Sequence, residues 1–291
     1  MMSLAEQSEE GTPPLHVRIT QLALARKWLS RSEFIEIHHE IASDKDEAWI
    51  QHVRTVRDLL LAHLPSLPSG RILELGCSSG DMTAYLSTHY PTHPLIAVES
   101  SEHMLHSSRE QLQGKPIEWV QMEPPEYVFS QPANSAALII SVWTIGYARP
   151  YQIIQEAGRI LVPGGILAFV TNYADMLRPI VRTFQDCMTQ FPDKVTLAYV
   201  PQFPKNWAQL EKRVRRSKFT VEWQQEGKTP IITPKKEKEK KAAPLSPPPG
   251  NIIEWDQIAE YSKIAAYFEQ QIATRPEPLV HHYVSVVAKR V

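Results

Sequence analysis

Five small residues, Gly76-Cys77-Ser78-Ser79-Gly80, stand between a short apolar run and a helical pattern. The run, Ile72 to Leu75, carries one acid, Glu74; the pattern begins Asp81-Met82-Thr83-Ala84-Tyr85-Leu86. A buried strand ending in a small-residue turn that opens a helix is a way to hold a nucleotide-like ligand on backbone N–H groups. Small residues let the backbone approach the ligand and take dihedrals that larger side chains resist. Ser78 stands where a dinucleotide fingerprint would carry its second glycine, which argues against a pyrophosphate cradle. A second apolar run, Leu95-Ile96-Ala97-Val98, ends in Glu99, about a βαβ half-unit further on. An acid at the end of a second parallel strand is placed to accept hydrogen bonds from two ribose hydroxyls. An unrelated Rossmann-like domain that binds NAD, or nothing, is the alternative.

The elements that must position these groups can be read from the pattern. Ser100-Ser101-Glu102-His103-Met104-Leu105 opens a helix after the second strand, with Ser100 or Ser101 as N-cap. The spacing predicts a third strand over Ile117–Met122 and a fourth over Ala136–Val142. Gln155 to Val170 then reads helix, tight Pro163-Gly164-Gly165 turn and buried strand. Phe219–Gln224 and Lys228–Ile232 read as strands, Trp255–Ile272 as an amphipathic helix, and Tyr283–Ala288 as the last strand.

Together ELGCSSG, AVESSEHML and EAGRILVPGGILAF resemble the class I S-adenosylmethionine-dependent methyltransferases, in particular the small-molecule branch with the trans-aconitate and ubiquinone-biosynthesis types. The resemblance covers residues 70–172, about a third of the chain. It implies an α/β fold: a Rossmann-like, mostly parallel seven-stranded sheet with an antiparallel last strand between its neighbours, N-terminal helices and a helical lid insertion. The implied cofactor is S-adenosyl-L-methionine. Its methionine tail would run past Gly76, Cys77, Ser78 and Gly80, with Glu74 near its ammonium group, Glu99 on the ribose and Ser100 beside the adenosine. Glu123 stands where the family has an acid for the adenine amino group, although Pro124-Pro125 departs from the usual sequence. Ser141, after the fourth strand, faces the site by topology. Cys77 reads as a small residue that fits rather than as a nucleophile.

Composition frames the rest. A formal net charge of -1 and an apolar fraction of 43% describe a packed chain with no global pull toward nucleic acid or anionic membrane. The 2 cysteines, Cys77 and Cys187, imply a reducing, cytoplasmic setting without a disulfide framework. No apolar run reaches spanning length. We expect a disordered tail over 1–14, helices over 15–64, a cofactor-binding core over 65–172, a lid over 173–215 and the rest of the sheet over 216–291. Within the last part, 235–250 reads as a mobile Lys/Pro-rich loop. Composition is silent on the oligomeric state.

Methyl transfer from a sulfonium is an in-line displacement with an activated leaving group, so alignment and water exclusion can supply much of the rate. A base is needed only if the acceptor must lose a proton. The candidates are His38, His39, Tyr147, Tyr173 and Asp175. Adjacent histidines on a helix point in different directions, so His38-His39 is a poor metal pair and no metal is expected. Trp143, Tyr173 and Arg178 are the candidates for the acceptor, and His281-His282 reads as core and surface alternation along a strand. The expected partner is a small-molecule acceptor. A protein or RNA substrate, suggested by the basic runs at 212–216 and 235–241, and a non-catalytic cofactor-binding scaffold are the alternatives.

Overall fold

The structure is a computed structural model of the 291-residue chain, and it describes residues 47–175, 202–230 and 280–291 together with a few single helical positions. These three stretches belong to one compact unit, Lys45–Met176, Pro201–Ile231 and Val280–Val291, which contains the whole sheet. The expectations for the tail at 1–14, His38, His39, Arg178 and the loop at 235–250 lie outside the described residues.

A helix α1 (Glu47–Ala62) precedes β1 (Arg71–Leu75), α2 (Asp81–His89), β2 (Leu95–Glu99), α3 (Glu102–Gln111) and β3 (Ile117–Gln121). Then come α4 (Pro124–Ser130), β4 (Ala136–Val142), a short 3₁₀ turn at Ile145–Tyr147, α5 (Pro150–Ile160) and β5 (Leu161–Asn172). The unit closes with α6 (Trp207–Arg216), β6 (Phe219–Pro230) and β7 (Val280–Arg290). The seven strands form one sheet in the order β3-β2-β1-β4-β5-β7-β6. Strands β1 to β5 pair in parallel, and β7 lies antiparallel between β5 and β6.

The central strands read as continuous apolar runs because both of their faces are covered. Ile72, Leu138, Ile140, Ala168 and Val170 pack on one face with Leu60 of α1 and Leu86 of α2. Leu73, Leu75, Ile139, Leu167 and Phe169 pack on the other with Ile153 and Ala157 of α5 and Leu210 and Val214 of α6. The two apolar positions of α6 lie four apart, the spacing that puts both on one stripe. This helix was expected inside the lid; it lies in the sheet unit, packed on the second face. The two strands expected over 219–232 are one strand, β6, with a register shift between Val221 and Trp223.

Local signals set the helix starts that matter for the site. Ser101 caps α3, its hydroxyl accepting from Met104 N at 3.4 Å. Asn206 caps α6, its side chain accepting from Gln209 N at 2.9 Å. Pro124-Pro125, the departure after β3, form the first turn of α4, where a missing N–H leaves no intrahelical bond unmade.

Candidate functional site

The carboxyl end of β1 turns sharply. Gly76 has φ 82, Ser78 φ 48 and Gly80 φ 83, three left-handed residues within five positions. The turn is tied to β2, as Gly76 N and Cys77 N both donate to Val98 O at 2.8 and 3.1 Å. Gly76 could hold no larger residue: an added Cβ would lie 2.3 Å from Thr144 Cγ2. The close packing brings the segment after β4 directly over the end of β1. Ser141 reinforces the junction, its hydroxyl donating to Leu75 O at 2.9 Å.

Glu99 organises the same turn. It is 5% exposed. One carboxylate oxygen accepts from Ser100 N at 2.8 Å and Ser101 N at 3.0 Å, and the other from Ser78 N at 3.0 Å. The N–H of Ser78, which in a phosphate cradle would face the ligand, is therefore committed to a protein carboxylate. Ser108 of α3 donates its hydroxyl to Ser78 O and closes the turn from the far side. Three N–H bonds leave one of roughly four lone-pair sites on the carboxylate. That open site is on the oxygen that accepts from Ser78 N; the Ser100 hydroxyl lies 3.3 Å from the other oxygen.

Glu74 lies below the turn, 3% exposed, with Thr83 Oγ1 donating to it at 2.7 Å. Burial pushes its carboxyl up to about 8; the Thr83 bond opposes this and the nearby Glu99 adds to it. No ion pair to either acid is formed among the described residues. Two buried acids at the end of adjacent parallel strands, without a cation beside them, make a site suited to a positively charged ligand with hydroxyl groups. Cys77 packs into an apolar cluster with Ala97 and Leu105, and its thiol is pushed up by burial first and then by Glu74 and Glu99. It fills space beneath the turn and is held as the unreactive thiol. Glu123 occupies the N-cap position of α4 at the carboxyl end of β3, without a capping bond from its side chain.

Not all expected acceptor-side residues come together. Trp143 packs with the α1 face of the sheet, whereas Tyr173 is fully buried in the opposite core. Tyr173 lies 4.5 Å from the His282 ring, and burial, then Glu226 and Asp175, hold its phenol protonated. Asp175 is engaged by His282 Nδ1 at 2.8 Å. Tyr147 is pushed up to about 12 by burial, with a hydrogen bond to Asn172 opposing. Neither tyrosine offers a phenolate at neutral pH.

The sequence reading missed a cluster at the carboxyl ends of β4 and β5. His281 Nε2 lies 2.9 Å from Asn172 Oδ1, and its Nδ1 lies 3.0 Å from His52 Nε2 on α1. With the amide oxygen as acceptor, His281 carries its hydrogen on Nε2 and accepts on Nδ1. Its imidazole is pushed down to about 3 by burial first and then by His52 and His282. The expected alternation at His281-His282 is present, but each ring has partners on its own face of β7. The signal available was a polar pair inside an apolar final strand.

Residues 72–165 match the family described as Methyltransferase domain. The trans-aconitate 2-methyltransferase of Sinorhizobium fredii is 31% identical over 119 residues, 40% of this chain and 44% of that protein. The malonyl-[acyl-carrier protein] O-methyltransferase of Brevibacillus brevis is 33% identical over 106 residues, 34% of this chain and 37% of that one. The chain thus spans less than half the length of these curated relatives. Among solved structures, a proposed methyltransferase of Bacillus halodurans superposes with a TM-score of 0.52 at 11% identity, over 80% of this chain and 97% of that one. At that identity the superposition speaks for the fold. Among the described residues no helix is long and apolar enough to cross a membrane, and no group of three or more metal-ligating side chains is present.

Proposed function

We propose that this chain, whose residues 72–165 match a methyltransferase domain, is a class I methyltransferase that binds S-adenosyl-L-methionine at the β1–β2 edge and methylates a small molecule. The observation that carries the reading is the pair of buried acids, Glu74 and Glu99, around a left-handed turn with no cation among the described residues to neutralise them. A ligand with an ammonium group for Glu74 and a ribose hydroxyl for the open lone pair of Glu99 satisfies both acids at once. Glu74 would hold the ammonium end, the Gly76–Gly80 turn the methionine chain and Glu99 the ribose, with Glu123 within reach of the adenine. When bound, S-adenosylmethionine supplies an activated methyl group for in-line displacement. The chain's own part is to align and to keep water out.

A small acceptor is supported by the relatives, whose names specify trans-aconitate and the malonyl group of an acyl carrier protein. The near-neutral charge also speaks for it, because a nucleic-acid substrate calls for a basic stripe. Titration calorimetry with S-adenosylmethionine and the Glu99→Ala variant tests the reading. Loss of charge-assisted bonds to the ligand should weaken binding between about tenfold and a hundredfold. Equal binding by variant and wild type would refute it. Tritium transfer from labelled cofactor to small acids and alcohols, against bulk RNA and protein, then separates the acceptor classes.

A further inference from the structure

We propose that the indole N–H of Trp143 is the hydrogen-bond donor of an acceptor subsite, and that this subsite takes a planar molecule through an uncharged oxygen. The proposal rests on the methyltransferase reading above and adds the chemical class of the acceptor. Trp143 follows β4 immediately and has φ 66, a left-handed conformation that a bulky aromatic residue adopts only when its surroundings impose it. Its backbone stays on the sheet, with N donating to Val170 O at 3.0 Å. Its indole Nε1 is buried without a hydrogen-bond partner. Native cores rarely leave such a donor unmade, since the bond lost to water is not replaced.

The surroundings say what that donor can serve. The indole ring lies 4.7 Å from His281 and 5.3 Å from Tyr283, and Tyr283 lies 5.3 Å from His281. His281 and Tyr283 stand two apart on β7, on the same face, and Tyr283 pairs with Asn172 at the end of β5. Thr144, the next residue after Trp143, packs on Gly76 in the cofactor turn. The cluster therefore borders the place where a methyl donor held by that turn would present its methyl group. Its walls are rings and neutral dipoles. His281 is fixed as a neutral imidazole by Asn172 and by burial, and burial lowers His52 as well. Among the described residues the cation stacked on a ring is Arg213, over Tyr151, and none is stacked on these rings. A carboxylate placed against these rings would lose its hydration without gaining a cation from them, whereas a carbonyl or hydroxyl oxygen needs only the one donor. Flat rings favour a flat guest. This separates the chain from an enzyme whose acceptor is an acid such as trans-aconitate.

The test uses full-length protein with ¹⁵N-labelled tryptophan and saturating S-adenosylhomocysteine. The Trp143 indole signal is assigned by its absence in Trp143→Phe. Catechol and 2-naphthol serve as planar uncharged probes, trans-aconitate and malonate as acids. The expected result is a saturable downfield shift of the Trp143 indole proton with an uncharged planar probe and not with the acids. Trp143→Phe should bind S-adenosylhomocysteine within about twofold of wild type and the shifting probe about tenfold more weakly. A shift with the acids, alone or alongside the uncharged probes, or no shift with any probe, overturns the proposal, and the wild-type titration decides even if the variant does not fold. Wild type that fails to bind S-adenosylhomocysteine instead sinks the methyltransferase reading, and the subsite with it.

Discussion

On the proposed reading, in which Glu74 holds the cofactor's ammonium group, cofactor binding is a proton-release reaction. In the free protein its carboxyl titrates at about 8, because burial disfavours the anion and Glu99 repels it. At pH 7 about nine in ten molecules therefore carry the proton. A bound ammonium group stabilises the anion, so binding must expel that proton. Below pH 8 and above the titration point of the complex, the dissociation constant should fall tenfold per pH unit. The ligand's own α-amino group titrates near pH 8, so the clean window is pH 5.5 to 7. Across it, a group titrating at about 8 predicts affinity rising about thirtyfold. Calorimetry in buffers of different ionisation enthalpy should record close to one proton released at pH 7. The same group costs the free protein stability. Its folded value lies above the unfolded 4.5, so the folded state holds the extra proton, and stability falls as pH rises from 4.5 to about 8 and then levels off. At 1.36 kcal/mol per tenfold, the full change is on the order of 5 kcal/mol, an upper bound. Glu74→Gln should thus melt higher than wild type at pH 8, melt alike at pH 4, and bind the cofactor weakly with no pH slope. A wild-type affinity that stays flat from pH 5.5 to 7, or a slope that survives in Glu74→Gln, would refute the reasoning.

Two other substitutions probe the turn. Gly76→Ala places a methyl group 2.3 Å from Thr144 Cγ2 at φ 82; we expect about 1–3 kcal/mol of lost stability and cofactor binding too weak to detect by calorimetry. Measurable wild-type affinity in that variant would show that the backbone need not pass so close. Cys77→Ala removes a sulfur packed against Ala97 and Leu105, at a cost of about 1 kcal/mol. Methyl transfer should persist within about threefold at saturating cofactor, and complete loss of turnover in a folded variant would restore a chemical role for the thiol.

The sheet and the cofactor turn were legible because their signals are local. A strand, its turn and the helix after it lie within about twenty residues, and each choice there has one dominant physical reason. Ser101 caps α3 because its hydroxyl reaches Met104 N three positions on. Glu99 ends β2 because three backbone N–H groups converge there. The pairing of β7 between β5 and β6 came from family resemblance, since periodicity cannot order strands separated by long segments. Helix α6 was readable as a helix but was assigned to the lid. Leu210 and Val214 marked an apolar stripe, and nothing in the stripe named the surface it would cover. The histidine cluster escaped for a related reason. His52 and His281 are 229 positions apart, and Asn172 is 109 from His281. Only the antiparallel return of β7 brings those side chains to the carboxyl ends of β4 and β5. The proposed cofactor end of the site is written in contiguous sequence, where a turn must have a particular shape. The proposed acceptor end is assembled from four distant segments, at His52, Trp143, Asn172 and His281, and the sequence marks it only through a histidine in an apolar strand.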